Sequence, residues 1–272
     1  MKDILQNIIE NKRVEVDRQK QAVSLSTLLA LGSERIERPT VSMRNSLETS
    51  SSGIIAEFKR KSPSKGWLHP GAAVRDVVPA YESAGAAACS VLTDGDFFGG
   101  SLGDLQTARR LVKLPLLRKD FIIDTYQIYQ ARVMGADAIL LIAAVLTPNE
   151  CAELAELARS LEMEVLLEVH SEEELDHLNK DVDMLGVNNR NLGSFHTDVE
   201  NSFRLAEKMK AIGERKGFSP LLISESGLKD AAMLQKLRGV GFRGFLIGET
   251  FMRGEYPGEV LKDLIKEINH GE

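Results

Sequence analysis

From Gly53 onward the chain alternates between short runs of apolar and β-branched residues and longer polar stretches, with the runs recurring every roughly 20 to 37 residues. Eight such runs stand out, at 54–58, 88–92, 114–117, 138–142, 165–169, 184–187, 221–224 and 245–248. Most are nearly continuous apolar, which predicts strands buried on both faces, as in a parallel sheet covered by helices. The segments between them carry helix-start signals. Asp124-Thr125-Tyr126-Gln127, Thr147-Pro148-Asn149-Glu150 and Ser171-Glu172-Glu173-Glu174 each place an N-cap side chain three residues ahead of Gln or Glu, the second with Pro at the first helical position. Strand, loop and helix thus alternate over about 220 residues, the size of a (β/α)8 TIM barrel. A doubly wound sheet usually opens with a Gly-x-Gly-x-x-Gly turn after its first strand, and none follows this one.

Residues 1–52 follow another pattern. Ile4, Leu5, Ile8 and Ile9 form a helical stripe that runs into a charged stretch at 10–20. We expect a helical extension over 1–52, a barrel over 53–272, and a hinge in the Ser-rich segment 46–53.

Composition narrows the classes of function. The 272 residues are 43% hydrophobic and 27% charged, enough apolar material for a large core. A formal net charge of -6 argues against a chain built to coat nucleic acid or an anionic membrane, so an anionic ligand must be met by local groups. Residues 1–20 lack the apolar segment of a signal peptide, and no run approaches the ~20 apolar residues that span a bilayer. A cytoplasmic protein is expected, with no nucleic-acid or membrane partner. Cys89 and Cys151 read as buried free thiols.

In such a barrel the active site lies at the C-terminal ends of the strands, so charges that end apolar runs carry the chemical signal. Side chains alternate along a strand, so Glu57 and Lys59 share the face of Ile55, opposite Ala56 and Phe58. Lys119 ends the third run, Glu168 lies within the fifth, Asn188 and Arg190 follow the sixth, and Glu225 and Ser226 end the seventh. A carboxylate flanked like Glu168 by Leu167 and Val169 is costly to bury unless it is paired or has a task, and amines grouped with carboxylates in a dry cleft shift one another's pKa values toward acid-base work. Gly227 and Gly248, after the last two runs, lie where barrels hold phosphate on backbone amides, with Ser62 and Ser64 as further candidates. Glu249 beside Gly248 is discordant there, and we expect its amide to serve while its carboxylate turns away. Phe97, Phe98 and Phe121 are placed to wall an apolar pocket or to pack under loops. His69, His170, His177, His196 and His270 show no metal-ligand spacing, and surface or capping roles are expected for them.

Taken in order, these motifs resemble the indole-3-glycerol-phosphate synthase family. The likeness runs through Ala56-Glu57-Phe58-Lys59-Arg60-Lys61-Ser62-Pro63-Ser64-Lys65-Gly66, Leu92-Thr93-Asp94 with Phe98, Arg118-Lys119-Asp120-Phe121, Leu167-Glu168-Val169-His170, Gly186-Val187-Asn188-Asn189-Arg190-Asn191-Leu192, Ser224-Glu225-Ser226-Gly227 and Leu246-Ile247-Gly248-Glu249. Asn191 departs from the family, which often has Asp there. The resemblance implies ring closure, decarboxylation and dehydration of 1-(o-carboxyphenylamino)-1-deoxyribulose 5-phosphate in tryptophan biosynthesis, without cofactor or metal. It implies Lys119 as the acid of ring closure, Lys59 on the substrate carboxylate, and Glu168, Lys59 and Glu57 as the dehydration groups. It also implies Asn188, Arg190, Glu225, Ser226, Phe98 and Phe121 around the substrate, and Ser62, Gly227, Gly248 and Glu249 around its phosphate. A monomer is expected, with contact to other tryptophan-pathway enzymes left open. Three alternatives stay open at this level: a Schiff-base aldolase using Lys119, a phosphoribosylanthranilate isomerase, and a silent barrel that binds a phosphate metabolite.

Overall fold

The computed structural model describes residues 4–191, 193 and 196–270, so Leu192, which ends one of the motifs above, lies outside the described residues. Eight parallel strands close into a barrel: β1 (Ile54–Phe58), β4 (Ala88–Leu92), β5 (Leu116–Lys119), β6 (Ala138–Ile142), β7 (Glu164–Val169), β8 (Met184–Asn188), β9 (Leu221–Glu225) and β10 (Gly244–Ile247). Closure is carried by β1, which pairs with β4 at Ile55 and Ala88 and with β10 at Ile54 and Phe245. A small antiparallel hairpin, β2 (Lys61–Ser62) and β3 (Gly66–Trp67), rises from the end of β1. The helices are α1 (Ile4–Ala22), α2 (Leu25–Ile36), α3 (Met43–Thr49), α4 (Val74–Ala84), α5 (Leu102–Leu111), α6 (Thr125–Met134), α7 (Pro148–Ser160), α8 (Glu200–Lys216), α9 (Ala231–Gly239), α10 (Glu249–Met252) and α11 (Pro257–His270).

The alternation of side chains splits the core into two layers. Ala56, Phe58, Val91, Leu167 and Val187 point outward into a layer shared with the helices, whereas Ile55, Leu117, Leu140, Leu166, Ile223 and Leu246 fill the barrel. The second layer is capped at both ends by the N-terminal segment. Ile8 of α1 joins it from the mouth, and Met43 and Leu47 of α3 join it from the opposite end, where Ser46 Oγ donates to the Ala87 carbonyl at 2.5 Å and the Arg44 amide donates to Glu164 at 2.8 Å.

Four expectations need correction. The third strand begins at Leu116, not Leu114, because the ladder starts where Cys89 faces Leu116, and it runs on through Arg118 and Lys119. The helix expected at Ser171 is a single 3-10 turn, Glu173–His177, since the Glu174 carboxylate turns back to accept the His170 amide at 2.6 Å. The expected hinge is absent as well. Residues 46–49 belong to α3, and Ser50 Oγ takes the amides of Ser52 and Gly53 at 3.2 and 3.0 Å, fixing a packed turn in which Gly53 has φ +64° and a side chain would strike the Arg243 carbonyl. Finally, Asp124 caps α6 through the Tyr126 amide, but Gln127 binds the Ile123 amide instead of closing a box; Thr147 and Glu150 do close one. Cys89 and Cys151 are free and buried, as expected.

Candidate active site

The parallel strands deliver their last residues to one rim, and a cleft opens there. Glu57, Lys59, Ser62, Phe98, Lys119, Phe121, Glu168, Asn188, Arg190, Glu225 and Ser226 all line it, with Ile4, Leu5 and Ile8 of α1 forming part of its apolar wall. Gly227, Gly248 and Glu249 lie in an adjoining trough that shares Glu57, Lys59, Arg190 and Ser226 with the cleft. The residues singled out from strand ends therefore meet in one place.

Two lysines organise the cleft. Lys119, at the end of β5, holds its Nζ 3.1 Å from Glu168 Oε2 and 3.3 Å from Glu225 Oε2. Lys59, just past β1, holds its Nζ 2.5 Å from Glu57 Oε1. Burial pulls the Lys119 pKa down, but the charges of Glu168, Glu225 and Glu57 outweigh it and leave the ammonium well above its ordinary value. Burial works against the charge on Glu168 too, yet Lys119, His170 and Asn188 hold its carboxyl below the usual range. Glu225 goes the other way: burial, with Glu168 and Glu57 nearby, pushes it up to about 7 despite Lys119. Beyond the contact with Lys119, neither Glu225 oxygen accepts a hydrogen bond from the described residues, so a buried acceptor faces the cleft. Space for it comes from Gly186, where a Cβ would lie 2.5 Å from Glu225 Oε1.

In the same cleft the Phe98 and Phe121 rings pack on each other, centroids 6.0 Å apart and tilted by 42°, forming an apolar wall. Asn188 Oδ1 accepts the Arg190 amide at 3.0 Å, and Arg190 spans the boundary between cleft and trough, donating to Ser64 Oγ at 3.1 Å and to Glu249 Oε2 at 2.9 Å. Arg253 also reaches Glu249, at 3.0 Å. The Glu249 carboxylate is thus occupied by two guanidinium groups, while Gly248 precedes the first turn of α10. A side chain at Gly248 would collide with Glu57, and one at Gly227, where φ is +78°, would lie 2.6 Å from Thr197 Cγ2. Ser226 itself sits at φ +67°, a strained geometry for a residue with a side chain. Ser62 is buried, with its Oγ 3.5 Å from that of Ser64. Lys65, Lys229 and Arg253 add positive charge to the trough.

Two residues escaped the sequence. His170, expected to cap or to lie on the surface, is largely buried, with Nε2 3.5 Å from Glu168 Oε1 and Nδ1 3.3 Å from Glu174 Oε2. Burial lowers its pKa, but Glu174 and Glu168 outweigh that and raise it. Lys12, read as part of a charged stretch, is fully buried between α1 and the rim. A signal was available for it, because Ile8, Lys12 and Val16 lie on one helical face and only the lysine is out of place there.

A family model described as indole-3-glycerol phosphate synthase matches residues 5–264. Among curated relatives, the indole-3-glycerol phosphate synthase of Bacteroides thetaiotaomicron is 56% identical, covering 98% of this chain and 100% of that protein. That of Prochlorococcus marinus strain MIT 9215 is 44% identical over 93% of this chain and 85% of that protein. Among solved structures, a mutant tryptophan synthase alpha-subunit from Pyrococcus furiosus superposes with a TM-score of 0.60 at 14% identity, covering 80% of this chain and 98% of that one, a likeness of fold alone. Match length and identity together settle the family: the chain belongs to the indole-3-glycerol phosphate synthases.

Proposed function

We propose that the rim cleft converts 1-(o-carboxyphenylamino)-1-deoxyribulose 5-phosphate into indole-3-glycerol phosphate, CO2 and water, with Lys119 as the acid of ring closure. The observation that carries the assignment of roles is the Lys119 ammonium held between Glu168 and Glu225, in a cleft that two aromatic rings also line. The aryl ring lies against Phe98 and Phe121. The ring carbon that bears the carboxylate attacks the ketone carbon, a C–C bond forms, and the carbonyl electrons move to oxygen. Lys119 protonates that oxygen as its basicity rises. An ammonium whose pKa is raised by neighbouring carboxylates holds its proton at neutral pH and yields it only to a strong base such as a developing alkoxide. The same raised pKa disfavours the neutral amine that a Schiff-base aldolase needs.

Lys59 pairs with the substrate carboxylate; when the ring–carboxyl bond breaks, CO2 departs and its electrons restore the aromatic ring. Dehydration then removes the former ketone oxygen as water, with Glu168, Lys59 and Glu57 supplying acid and base. Asn188, Arg190, Glu225 and Ser226 hold the ribulose hydroxyls, the Glu225 carboxyl having room for a partner besides Lys119. The phosphate borders Ser62 and the amides of Gly227, Gly248 and Glu249, a placement supported by the engagement of the Glu249 carboxylate with Arg190 and Arg253. A monomer in the cytoplasm fits this scheme, since one chain supplies every group it uses. The test is incubation of purified protein with this substrate while indole fluorescence is followed. Rising emission with stoichiometric CO2 is expected, and no product would remove the proposal.

A further inference from the structure

Lys12 lies on α1, outside the barrel, yet its side chain is fully buried. Its Nζ is 2.7 Å from Glu15 Oε2, 2.9 Å from Asp120 Oδ1 and 3.0 Å from Asp94 Oδ2. Taking an ammonium and two carboxylates out of water costs several kcal/mol per ion, so the cluster contributes little net stability unless its geometry serves another purpose. That purpose is visible in what the two carboxylates hold. Asp94 Oδ1 accepts the amides of Phe97 and Phe98 at 2.8 and 3.3 Å, and Asp120 Oδ1 accepts the amide of Phe121 at 2.8 Å. Phe98 and Phe121 are the two rings that pack together in the cleft wall. Asp120 is also held from beneath by Thr93 and Arg118, at 2.6 and 3.0 Å, but Asp94 Oδ2 has no hydrogen-bond partner among the described residues and faces Lys12. One ammonium therefore ties the loop carrying Phe98 to the strand end carrying Phe121.

We propose that Lys12 is a positioning residue that fixes the placement of the Phe98 and Phe121 rings and thereby governs recognition of the substrate's aryl ring. The inference rests on the proposed function above and deepens it. Lys12 touches no reacting atom; it acts through Asp94 and Asp120, and it makes ring recognition depend on a helix that precedes the barrel.

Two ligands separate this role from a general structural one: the substrate with its ketone reduced to an alcohol, which keeps the aryl ring, and ribulose 5-phosphate, which lacks it. In Lys12→Met the inhibition constant of the reduced substrate is expected to rise about tenfold or more, and KM with it, while that of ribulose 5-phosphate stays within about twofold and kcat within about threefold. Glu15→Gln, which alters the one partner that holds no aromatic residue, should leave both constants unchanged. If Lys12→Met does not fold, Lys12→Met/Asp94→Asn, which removes the unpaired buried charge along with the link, carries the same expectation. An unchanged constant for the reduced substrate, or equal weakening of both ligands, overturns the inference. Wild-type protein without turnover overturns the proposed function and this inference with it, whereas wild-type turnover alongside an unaffected Lys12 variant overturns the inference alone.

Discussion

Lys119 and Glu225 show how one buried cluster favours a charged lysine beside an uncharged glutamate. The lysine is surrounded by more negative charge than burial can offset, so it stays protonated; the glutamate shares its cation with Glu168 and is left short of compensation. The sign of the consequence follows from linkage. Glu225 has a folded pKa of about 7 against an ordinary 4.5, so between those values the native state holds a proton that the unfolded chain has released. The stabilisation is complete below pH 4.5 and is lost as pH rises through about 7. Glu225→Gln removes this dependence, and its melting temperature relative to wild type should climb across that interval; a pH-independent difference would contradict the assignment. At Lys59, replacement by Ala should raise KM, since the substrate carboxylate loses its counter-charge, and an unchanged KM in steady-state assays would argue against that contact. Glu57, Lys59, Lys119, Glu168 and Glu225 were legible because a charge at the end of an apolar run is costly and local in sequence. His170 was not, and Lys12 was only as a charge out of place on an apolar face, because their meaning comes from partners that the fold supplies: Glu168 for the first, and Asp94 and Asp120 for the second.

At the scale of elements, the N-terminal segment closes the barrel from both ends. The apolar stripe of α1 predicted a packed helix, but nothing in the local pattern tells that α1 meets the mouth while α3 meets the base. That division depends on distant partners, Asp94 and Asp120 for one and Ala87 and Glu164 for the other. It gives two different expectations for two substitutions. Leu47→Ala, at the base, should lower stability by about 2–5 kcal/mol in denaturant unfolding while leaving KM near wild type at temperatures where the variant is folded. Ile8→Ala, at the mouth, should raise KM as well, because Ile8 lines the cleft. A KM effect at Leu47 equal to that at Ile8 would count against the division. Thr147→Ala, which breaks the capping box of α7, should cost about 0.5–2 kcal/mol without changing turnover, read by thermal unfolding and a standard assay. The strand ends were legible only to within a residue or two. Hydrophobicity ends a run at the first charge, whereas hydrogen bonding carried β5 through Arg118 and Lys119, since Arg118 finds Asp120 and the Gln127 carbonyl in the outer layer.

Over the whole molecule, parallel strands in a closed ring bring residues far apart in sequence to a single rim, where the cleft holds Phe98 and Phe121 and the adjoining trough holds Gly227 and Gly248, the places the proposed function gives to the aryl ring and to the phosphate. The recurrence of apolar runs was enough to read this architecture, because eight buried parallel strands have few other ways to satisfy their edges. The irregular 3-10 turn after β7 was not readable, since Glu174 spends its carboxylate on His170 and not on a helix cap. The proposed mechanism turns on Lys119 as the group that protonates the ketone oxygen during ring closure. Its most direct test is the turnover of Lys119→Met, measured beside its melting temperature and its affinity for the reduced substrate. A fall in kcat of about 10²–10⁴ with fold and binding retained is predicted; turnover near the wild-type rate would contradict it.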